Sequence, residues 1–525
     1  MWCWRQSGET LATPHHHRRR TASGLTTPQR CIRRGMRGLS GMSATPWQQQ
    51  FVSADEVGLE QLRTAAQQAV ASIQRPDGPR SNLSPTQLHD LIWATDICPE
   101  TGTPLTDVLK EFGSSVWANS VVPFDPACVA HLHPPTMIPS VVTEMTIAVM
   151  NQSMDSWDQA PAATEVELHL MSWLAHLMGM PSSGSGVMTS GGTASNVLGI
   201  TLARSWAASL IGVDVLKTGL PPQATAWRIL CSDQAHFSVQ RAAAQLGLGR
   251  DSVVTVSSTS SGAMDIAALD TTITEQLAAK NTIIAIVGTA GTTDLGVIDP
   301  LDAIATRCEQ INAWFHVDGA VAGSYLMSPQ LSPMLHGIAR ADSVTIDFHK
   351  IWFQPFNASA LIVKDVDRFD LLRVKSKYLD RGDEVPGMIN LVGRSLDTSR
   401  RFDAAKVVVS LRTIGRSAFA EMLHHVVALS AHAAQQIEKS STLMLLTKPT
   451  GAMCVFHAVG CDADDLRRVQ QNLLMAGDMV LGRTEIKGRA ALKFTFMNPL
   501  VTFSDVDNLI TTVESALQAI TVTKV

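Results

Sequence analysis

The sequence predicts an α/β protein whose core is a mostly parallel β-sheet with helices on both faces. After about residue 145, short apolar runs rich in Ile and Val alternate with amphipathic helical patterns, which is typical of such a sheet. Polar or glycine-rich sequence follows five of these runs, as expected where ligands bind at the carboxyl ends of parallel strands. Seven strands are predicted, at residues 187–189, 227–231, 252–256, 282–287, 314–317, 343–346 and 360–363.

Helices and a second set of strands flank this region. On the N-terminal side, helices are predicted over 59–74 and from Ser84, with Pro85 near the first turn of the second. On the C-terminal side, an apolar helical stretch at 406–414 precedes strands at 443–446, 454–458 and 492–496 and helices at 464–475 and 504–520. Ser504 and Asp507 have the spacing of a capping box at the start of the last helix.

These patterns divide the chain into four predicted parts. They are an N-terminal extension at 1–42, a helical segment at 43–145, a large ligand-binding domain at 146–405 and a smaller C-terminal α/β domain at 406–525. The extension is rich in Arg, Ser and Thr, with no acid between Glu9 and Asp55, so we expect it to be disordered. It is either a targeting segment or sequence upstream of a start at Met36 or Met42.

Composition favours a small-molecule substrate over a macromolecular partner. The net charge of -5 comes without a long acidic or basic block in the body of the chain, so neither nucleic acid nor an anionic membrane is expected. The 8 cysteines are scattered without a Cys-x-x-Cys pair, which argues against a zinc site and a disulfide framework and favours a reducing, cytoplasmic location. No apolar run approaches the roughly 20 residues of a membrane-spanning helix.

Three of the predicted strand ends carry small residues, hydroxyls or a histidine. Gly192 and Thr193 follow the first strand at the start of a helix and suit a phosphate, because glycine admits close approach and a helix N-terminus presents free N–H groups. The same sequence also suits a plain turn, as does the loop with Thr292 and Thr293. His236, after the second strand, is equally compatible with a core position and with a functional one.

The other two strand ends carry charged residues. Asp318 directly follows an apolar strand, where an unpaired charge is costly, so we expect a cationic partner. Lys350, preceded by His349, follows the strand at 343–346, and a lysine there is uncommon unless it is paired, deprotonated or covalently used. A single ligand with a phosphate, a basic ring nitrogen and an aldehyde would use all five strand ends. Pyridoxal 5'-phosphate has these three groups.

The predicted roles follow from the groups of that cofactor. Lys350 binds the aldehyde covalently, Asp318 keeps the ring nitrogen protonated and His236 stacks on the ring, so these three are the predicted catalytic residues. The complete predicted cofactor site is Gly192, Thr193, His236, Thr292, Thr293, Asp318, Ala320, His349 and Lys350. No metal is predicted, because His131 and His133 lack a third ligand at useful spacing.

Several motifs, taken together, resemble one known family. Ser-Gly-Gly-Thr, Ser-Asp-Gln-Ala-His, Gly-Thr-Thr, His-Val-Asp and Asp-x-His-Lys occur in this order, with further matching stretches at 130–135, 151–159, 399–403 and 492–495. From about Pro123 onward, the chain resembles the group II pyridoxal-phosphate decarboxylases, and is most similar to bacterial decarboxylases of 2,4-diaminobutyrate and of lysine. The resemblance implies the fold type I architecture of aspartate aminotransferase and a homodimer with active sites at the subunit interface.

The same resemblance implies the reaction, which is decarboxylation of an L-amino acid to the amine and carbon dioxide. The expected substrate is a diamino acid, namely 2,4-diaminobutyrate, lysine or ornithine, with glutamate and aspartate as alternatives. A diamino acid requires an acidic group near its distal amine. Asp155, Asp158 and Glu165 are the candidates for that group.

The chain departs from the family pattern near the cofactor. Ile351 stands where a tryptophan commonly follows the lysine, and Gly319 and Val321 alter the positions after the aspartate. Several relatives carry a proton-donating tyrosine in the loop that corresponds to 379–397, but neither Tyr325 nor Tyr378 lies at that place. The product carbon would then receive its proton from His236, from Tyr378 or from a residue of a partner subunit.

Two rival functions stay open. In some relatives, loss of that tyrosine lets oxygen intercept the reaction, which would make the protein an aldehyde synthase of the same fold. The other rival is a catalytically silent homologue that acts as a binding protein, against which the intact Lys350, His236 and Asp318 argue.

Overall fold

The computed structural model describes residues 50–53, 55–374 and 385–522. Helices come first in this part of the chain. The predicted extension at 1–42 lies outside the described residues. Helices α1 (Glu56–Ala71) and α2 (Pro85–Trp93) confirm the two predicted helices. Ser84 caps α2 in a capping box with Gln87, and Pro85 lies in the first turn, where its missing N–H leaves no intrahelical bond unmade.

A seven-stranded sheet forms the centre of the fold, and all seven predicted strands are present. The strands are β1 (Ser185–Thr189), β2 (Trp227–Ser232), β3 (Val253–Val256), β4 (Thr282–Thr289), β5 (Trp314–Asp318), β6 (Ser343–Asp347) and β7 (Ser359–Val363). Their order is β1-β7-β6-β5-β4-β2-β3. Only β7 runs antiparallel to its neighbours β1 and β6, so the sheet is mostly parallel, as predicted.

Helices cover both faces of this sheet, which explains why its strands read as continuous apolar runs. The further helices are α3 (Leu105–Ser115), α4 (Ile138–Met150), α5 (Pro161–Leu177), α6 (Gly192–Leu210), α7 (Val215–Thr218), α8 (Ser238–Gln245), α9 (Ile266–Ala278) and α10 (Leu301–Ile311). One buried cluster joins α6 and α8 to the sheet, and another joins α5 and α10 to it. These layers hold the carboxyl ends of the parallel strands at one edge.

A second, four-stranded antiparallel sheet lies in the C-terminal region. It consists of β8 (Leu443–Leu445), β9 (Met453–Ala458), β10 (Gly482–Ile486) and β11 (Arg489–Thr495), in the order β10-β11-β9-β8. The accompanying helices are α11 (Ala404–Ile414), α12 (Arg416–Ile437), α13 (Ala463–Ala476) and α14 (Phe503–Val522). The predicted strands and helices of this region are confirmed, and helix α12 and strand β10 are additional. The domain boundaries at 42, 145 and 405 stay predictions.

The cap of α14 differs from the prediction. Ser504 lies inside the helix, and the reciprocal bonds of the capping box join Thr502 and Asp505. The predicted pair Ser504 and Asp507 was wrong because two overlapping pairs share the same spacing and residue types. No helix among the described residues is long and apolar enough to cross a membrane.

Candidate active site

A cavity of about 640 Å³ opens at the carboxyl edge of the large sheet. Its size is in the range of small-molecule sites. It brings together eight of the nine residues predicted for the cofactor site, namely Gly192, Thr193, His236, Thr293, Asp318, Ala320, His349 and Lys350. The ninth, Thr292, is buried beside the cavity, and its hydroxyl accepts a hydrogen bond from Val297 N at 3.2 Å.

The start of helix α6 forms one wall of this cavity. Strand β1 ends at Thr189, and α6 begins at Gly192 without a side-chain cap, so the first N–H groups of the helix remain available. A Cβ on Gly192 would lie 2.7 Å from Asp347 Oδ2, which leaves room only for glycine. The ring of His349 lies 3.8 Å from the place of a Cβ on Gly191. Free N–H groups and the helix dipole make this wall suitable for a phosphate.

Lys350 lies beside a buried carboxylate. Its Nζ is 2.9 Å from Asp347 Oδ2, and the side chain of Asp347 is only 2% exposed. Ser359 Oγ donates to the other oxygen, Asp347 Oδ1, at 2.5 Å. Burial lowers the pKa of the neighbouring His349, against the opposing effect of Asp347, so His349 is neutral near pH 7. The ion pair with Asp347 holds the amine of Lys350 at the cavity wall.

Asp318 is a buried acid whose hydrogen-bond donors are neutral. It ends β5, is 6% exposed, and accepts from Asn196 Nδ2 at 2.8 Å and from Ala320 N at 3.1 Å. Neither donor cancels the negative charge. A cationic group of a ligand in the cavity would complete the site, as expected from the position of Asp318 in the sequence.

His236 is half-buried at the end of β2 and is held by the start of α8. Its Nδ1 lies 2.8 Å from Ser238 Oγ and 3.3 Å from Ser238 N. Burial lowers the pKa of His236; the charge of Asp318 opposes this shift and that of Lys350 adds to it. The imidazole is therefore neutral at physiological pH.

A family model described as the pyridoxal-dependent decarboxylase conserved domain matches residues 89–459. The chain belongs to the pyridoxal-dependent decarboxylase family. It is 38% identical over 400 residues to L-2,4-diaminobutyrate decarboxylase of Acinetobacter baumannii, covering 73% of this chain and 78% of the relative. Identity to the enzyme of the same name from Rhizobium meliloti (strain 1021) is 35% over 461 residues, with 86% and 90% covered.

A solved structure shows the same fold. It is the glutamate decarboxylase domain of a diaminobutyrate-pyruvate transaminase and L-2,4-diaminobutyrate decarboxylase from Vibrio parahaemolyticus, with a TM-score of 0.83 and 35% identity. The match covers 90% of this chain and 99% of that one. This pyridoxal-dependent decarboxylase is therefore a carboxy-lyase of fold type I whose cofactor is pyridoxal phosphate, and these predictions are confirmed.

The cavity of this decarboxylase fits that cofactor in three respects. The wall at Gly192 is too tight for any side chain and presents N–H groups, which suits the phosphate. The buried Asp318 has only neutral donors, which suits a protonated ring nitrogen. The amine of Lys350 is accessible within the same cavity, which suits an aldehyde.

Four residues at or below the cavity were not predicted from the sequence as site residues. They are Asn196, Ser238, His316 and Asp347. The first contacts Asp318, the second contacts His236 and the last contacts Lys350, whereas His316 contacts Asn196. Asp347 was part of the quoted Asp-x-His-Lys motif, and its place two residues before His349 was the available signal. His316 was likewise inside the quoted His-Val-Asp motif, but its contact with Asn196 joins positions that lie 120 residues apart.

The structure also locates the other residues singled out in the sequence. Tyr325 is 1% exposed and does not line the cavity, and burial raises the pKa of its hydroxyl, so it is no proton donor for the reaction. Tyr378 lies outside the described residues. The ring of His133 lies 5.3 Å from that of Phe356, which lines the cavity. Among the described residues no three His, Cys, Asp or Glu side chains form a metal site.

The three acids considered for a distal amine do not line the cavity of the single chain. Asp155 Oδ1 accepts from Ser156 N and from Gln159 Nε2, and Glu165 Oε1 accepts from Trp157 Nε1 at 3.4 Å. Asp158 is likewise absent from the cavity wall. A different acid, Asp397, does line it and is exposed.

Proposed function

We propose that the protein decarboxylates an L-diamino acid such as 2,4-diaminobutyrate, with Lys350, Asp318 and His236 as its catalytic residues. The observation that carries the proposal is the cavity at the sheet edge, where a lysine amine, a buried carboxylate and a helix N-terminus meet. The names of the two relatives and of the solved structure supply the substrate class.

The proposed roles follow from where the side chains lie. When bound, pyridoxal phosphate supplies an electron-withdrawing ring that stabilises the charge left as carbon dioxide departs. Lys350 Nζ would hold the aldehyde carbon of the cofactor, and Asp318 would keep a proton on its ring nitrogen. Gly192, Thr193 and His349 would hold the phosphate. Thr293 lines the cavity and Thr292 does not, so Thr293 is the threonine that would meet the ring hydroxyl. His236 lines the same cavity and would hold a proton that it could give to the product carbon.

Asp397 supports a substrate with a second amine. Asp397 lines the cavity, and its carboxylate has no hydrogen-bond or ion-pair partner among the described residues, whereas Asp318 and Asp347 are both engaged. A distal ammonium group would neutralise it by a charge-assisted hydrogen bond. We therefore propose Asp397, in place of Asp155, Asp158 or Glu165, as the group that selects a diamino acid over glutamate or aspartate.

A homodimer is proposed on the basis of one exposed helix face. Ile138, Val141, Val142 and Met145 of α4 have the spacing of a single face, and they are 79%, 49%, 52% and 44% exposed. An apolar stripe of this kind is typical of a protein interface, and a second copy of the chain is the proposed occupant.

A cytoplasmic location is proposed because the six described cysteines are all free thiols.

The test of the proposed function is a product assay. Purified protein with pyridoxal phosphate would be given 2,4-diaminobutyrate, lysine, ornithine, glutamate or aspartate, while carbon dioxide release, oxygen uptake and the organic product are recorded. Carbon dioxide with a matching diamine and no oxygen uptake is the expected result. Aldehyde and ammonia with oxygen uptake would make the protein an aldehyde synthase, and absence of turnover with every substrate would favour a silent binding protein.

A further inference from the structure

A chain of buried hydrogen bonds runs beneath the cavity from the core to Asn196. Trp314 Nε1 lies 2.8 Å from Ser343 Oγ, which lies 2.8 Å from His316 Nδ1. His316 Nε2 lies 3.0 Å from Asn196 Oδ1, and Thr345 Oγ1 donates to the same oxygen at 2.7 Å. All five side chains are at most 1% exposed, so water does not compete for these bonds.

From Asn196 the chain divides toward the cavity. The amide nitrogen Nδ2 lies 2.8 Å from Asp318 Oδ2 and also 2.8 Å from Ser238 Oγ. Ser238, which is fully buried, in turn lies 2.8 Å from His236 Nδ1. One amide group therefore contacts one proposed catalytic residue, Asp318, directly and the hydrogen-bond partner of another, His236.

The direction of each bond on the core side is determined by its partners. An ionised carboxylate accepts only, so the end of Asn196 that faces Asp318 is the amide nitrogen, and its oxygen faces His316. His316 must then donate from Nε2. Burial lowers the pKa of His316 to about 4, so the ring is neutral and its Nδ1 accepts from Ser343. The hydroxyl of Ser343 is free to donate because it accepts from Trp314, whose indole N–H can only donate.

The same reasoning fixes the tautomer of His236. Ser238 Oγ accepts a hydrogen bond from Asn196 Nδ2, so its own proton points to His236 Nδ1. The backbone N–H of Ser238 also points to that nitrogen, at 3.3 Å. Because Nδ1 accepts from both donors, the proton of the neutral ring is on Nε2.

We propose that Asn196 is a positioning residue that sets both the carboxylate of Asp318 and the tautomer of His236. This proposal rests on the proposed function for the roles of Asp318 and His236, although the hydrogen bonds themselves do not depend on those roles. Asn196 contacts Asp318 directly and acts on His236 through Ser238. The arrangement leaves Nε2–H as the one ring donor that His236 presents to a substrate or to the product carbon.

A purely structural role for Asn196 makes a different prediction. In that case, removing its side chain would lower stability but leave the tautomer of His236 unchanged, because the backbone N–H of Ser238 would still contact Nδ1. The two readings therefore differ in the protonation of a single ring, which can be measured without turnover.

The experiment uses the full chain without cofactor, labelled with ¹⁵N in the histidine ring, and solid-state ¹⁵N NMR at pH 8. The His236 signals are identified by their loss in His236→Gln. Wild type should show the Nε2–H form alone. Ser238→Ala and Asn196→Ala should each show a substantial Nδ1–H population, and the control Thr345→Val should not, because His316 still orients Asn196.

A second measurement separates the effect of Asn196 on Asp318 from its effect on His236. The dissociation constant of pyridoxal phosphate, followed by quenching of tryptophan fluorescence, should rise roughly tenfold in Asn196→Ala, which loses a hydrogen bond to a charged group. In Ser238→Ala, which keeps the bond to Asp318, it should change about twofold or less. If Asn196→Ala does not fold, Ser238→Ala still decides the tautomer.

Three results would each overturn the proposal: wild-type His236 with its proton on Nδ1, an unchanged tautomer in Ser238→Ala, or an unchanged tautomer in a folded Asn196→Ala. None of these results would bear on whether the enzyme is a decarboxylase. Conversely, failure of every substrate in the product assay would leave the tautomer result standing, because it is read from protein without cofactor.

Discussion

At the residue scale, the position of Lys350 against Asp347 leads to the most direct prediction. Lys350→Ala should abolish both the visible absorbance of the covalently bound cofactor and carbon dioxide release. Lys350→Arg keeps a positive charge beside Asp347 but cannot bind the aldehyde, so it should lose both signals as well. The matched control is Lys217→Ala, an exposed lysine of α7, which should behave as wild type. A Lys350→Ala protein that stays yellow and active would show that Lys350 is not the residue that binds the cofactor.

Asp397 provides a prediction about specificity at the same scale. Asp397→Asn removes the charge but nearly keeps the shape, so KM for a diamino acid should rise about tenfold or more while kcat changes less. Asp397→Glu keeps the charge and should rescue part of the loss. Equal KM values for wild type and Asp397→Asn would remove Asp397 from substrate recognition.

At the element scale, helix α6 joins the phosphate wall to the buried polar chain. Gly199 lies one turn after Asn196 on this helix, and a Cβ there would lie 2.6 Å from His316 Cε1 and 2.7 Å from Nδ1. Gly199→Ala should therefore displace the His316 ring and destabilise the protein by about 1–3 kcal/mol. Urea unfolding of Gly199→Ala, His316→Ala and the double variant would test this, because the added methyl group should cost less when the ring is absent.

The elements differ in how far the sequence could predict them. Strands such as β4 and β5 are buried on both faces, so their apolar runs stood out. Strand β10 has the sequence Gly-Arg-Thr-Glu-Ile, in which exposed positions alternate with buried or half-buried ones. This polar edge strand therefore contains no apolar run that would predict it. The cavity residues were predictable where a charge or a glycine follows an apolar run. Asn196 and Ser238 were not, because their function depends on partners brought together only by the fold.

At the scale of the whole molecule, the buried His316 makes stability depend on pH. Its pKa falls from 6.5 to about 4 in the folded state, so between these values the unfolded chain binds the extra proton. Unfolding therefore becomes easier as pH drops through this window, by about 1.4 kcal/mol per pH unit and roughly 3 kcal/mol in all. The contribution of His316 to the free energy of unfolding is fully present above pH 6.5.

His316→Gln isolates this contribution because glutamine does not titrate. Asp299, whose pKa is raised to about 6 chiefly by burial, acts in the opposite direction but is common to both proteins. The stability advantage of wild type over the variant should thus shrink by roughly 2 kcal/mol from pH 7 to pH 5, measured by urea unfolding. His336→Gln, at an exposed histidine, is the control. An advantage that is the same at both pH values would contradict the buried, neutral state of His316.

The exposed face of α4 bears on the assembly of the whole molecule. Its inner side packs on α11, so the stripe of Ile138, Val141, Val142 and Met145 is left for another surface. Because a two-fold interface brings the same patch of each copy close to its symmetry mate, one charge per chain introduces two like charges into a dry contact. Val142→Glu should therefore convert a particle of twice 56.5 kDa into one of 56.5 kDa in light scattering.

The control for this substitution is Val459→Glu, which places the same charge at another position with comparable exposure, 57% against 52%. That variant should keep the mass of wild type. If the active site includes residues of a partner subunit, Val142→Glu should also lose carbon dioxide release while it retains its helical content. A Val142→Glu protein that keeps the mass of wild type would show that α4 does not join two copies. A monomeric variant with full activity would show instead that each chain holds a complete site.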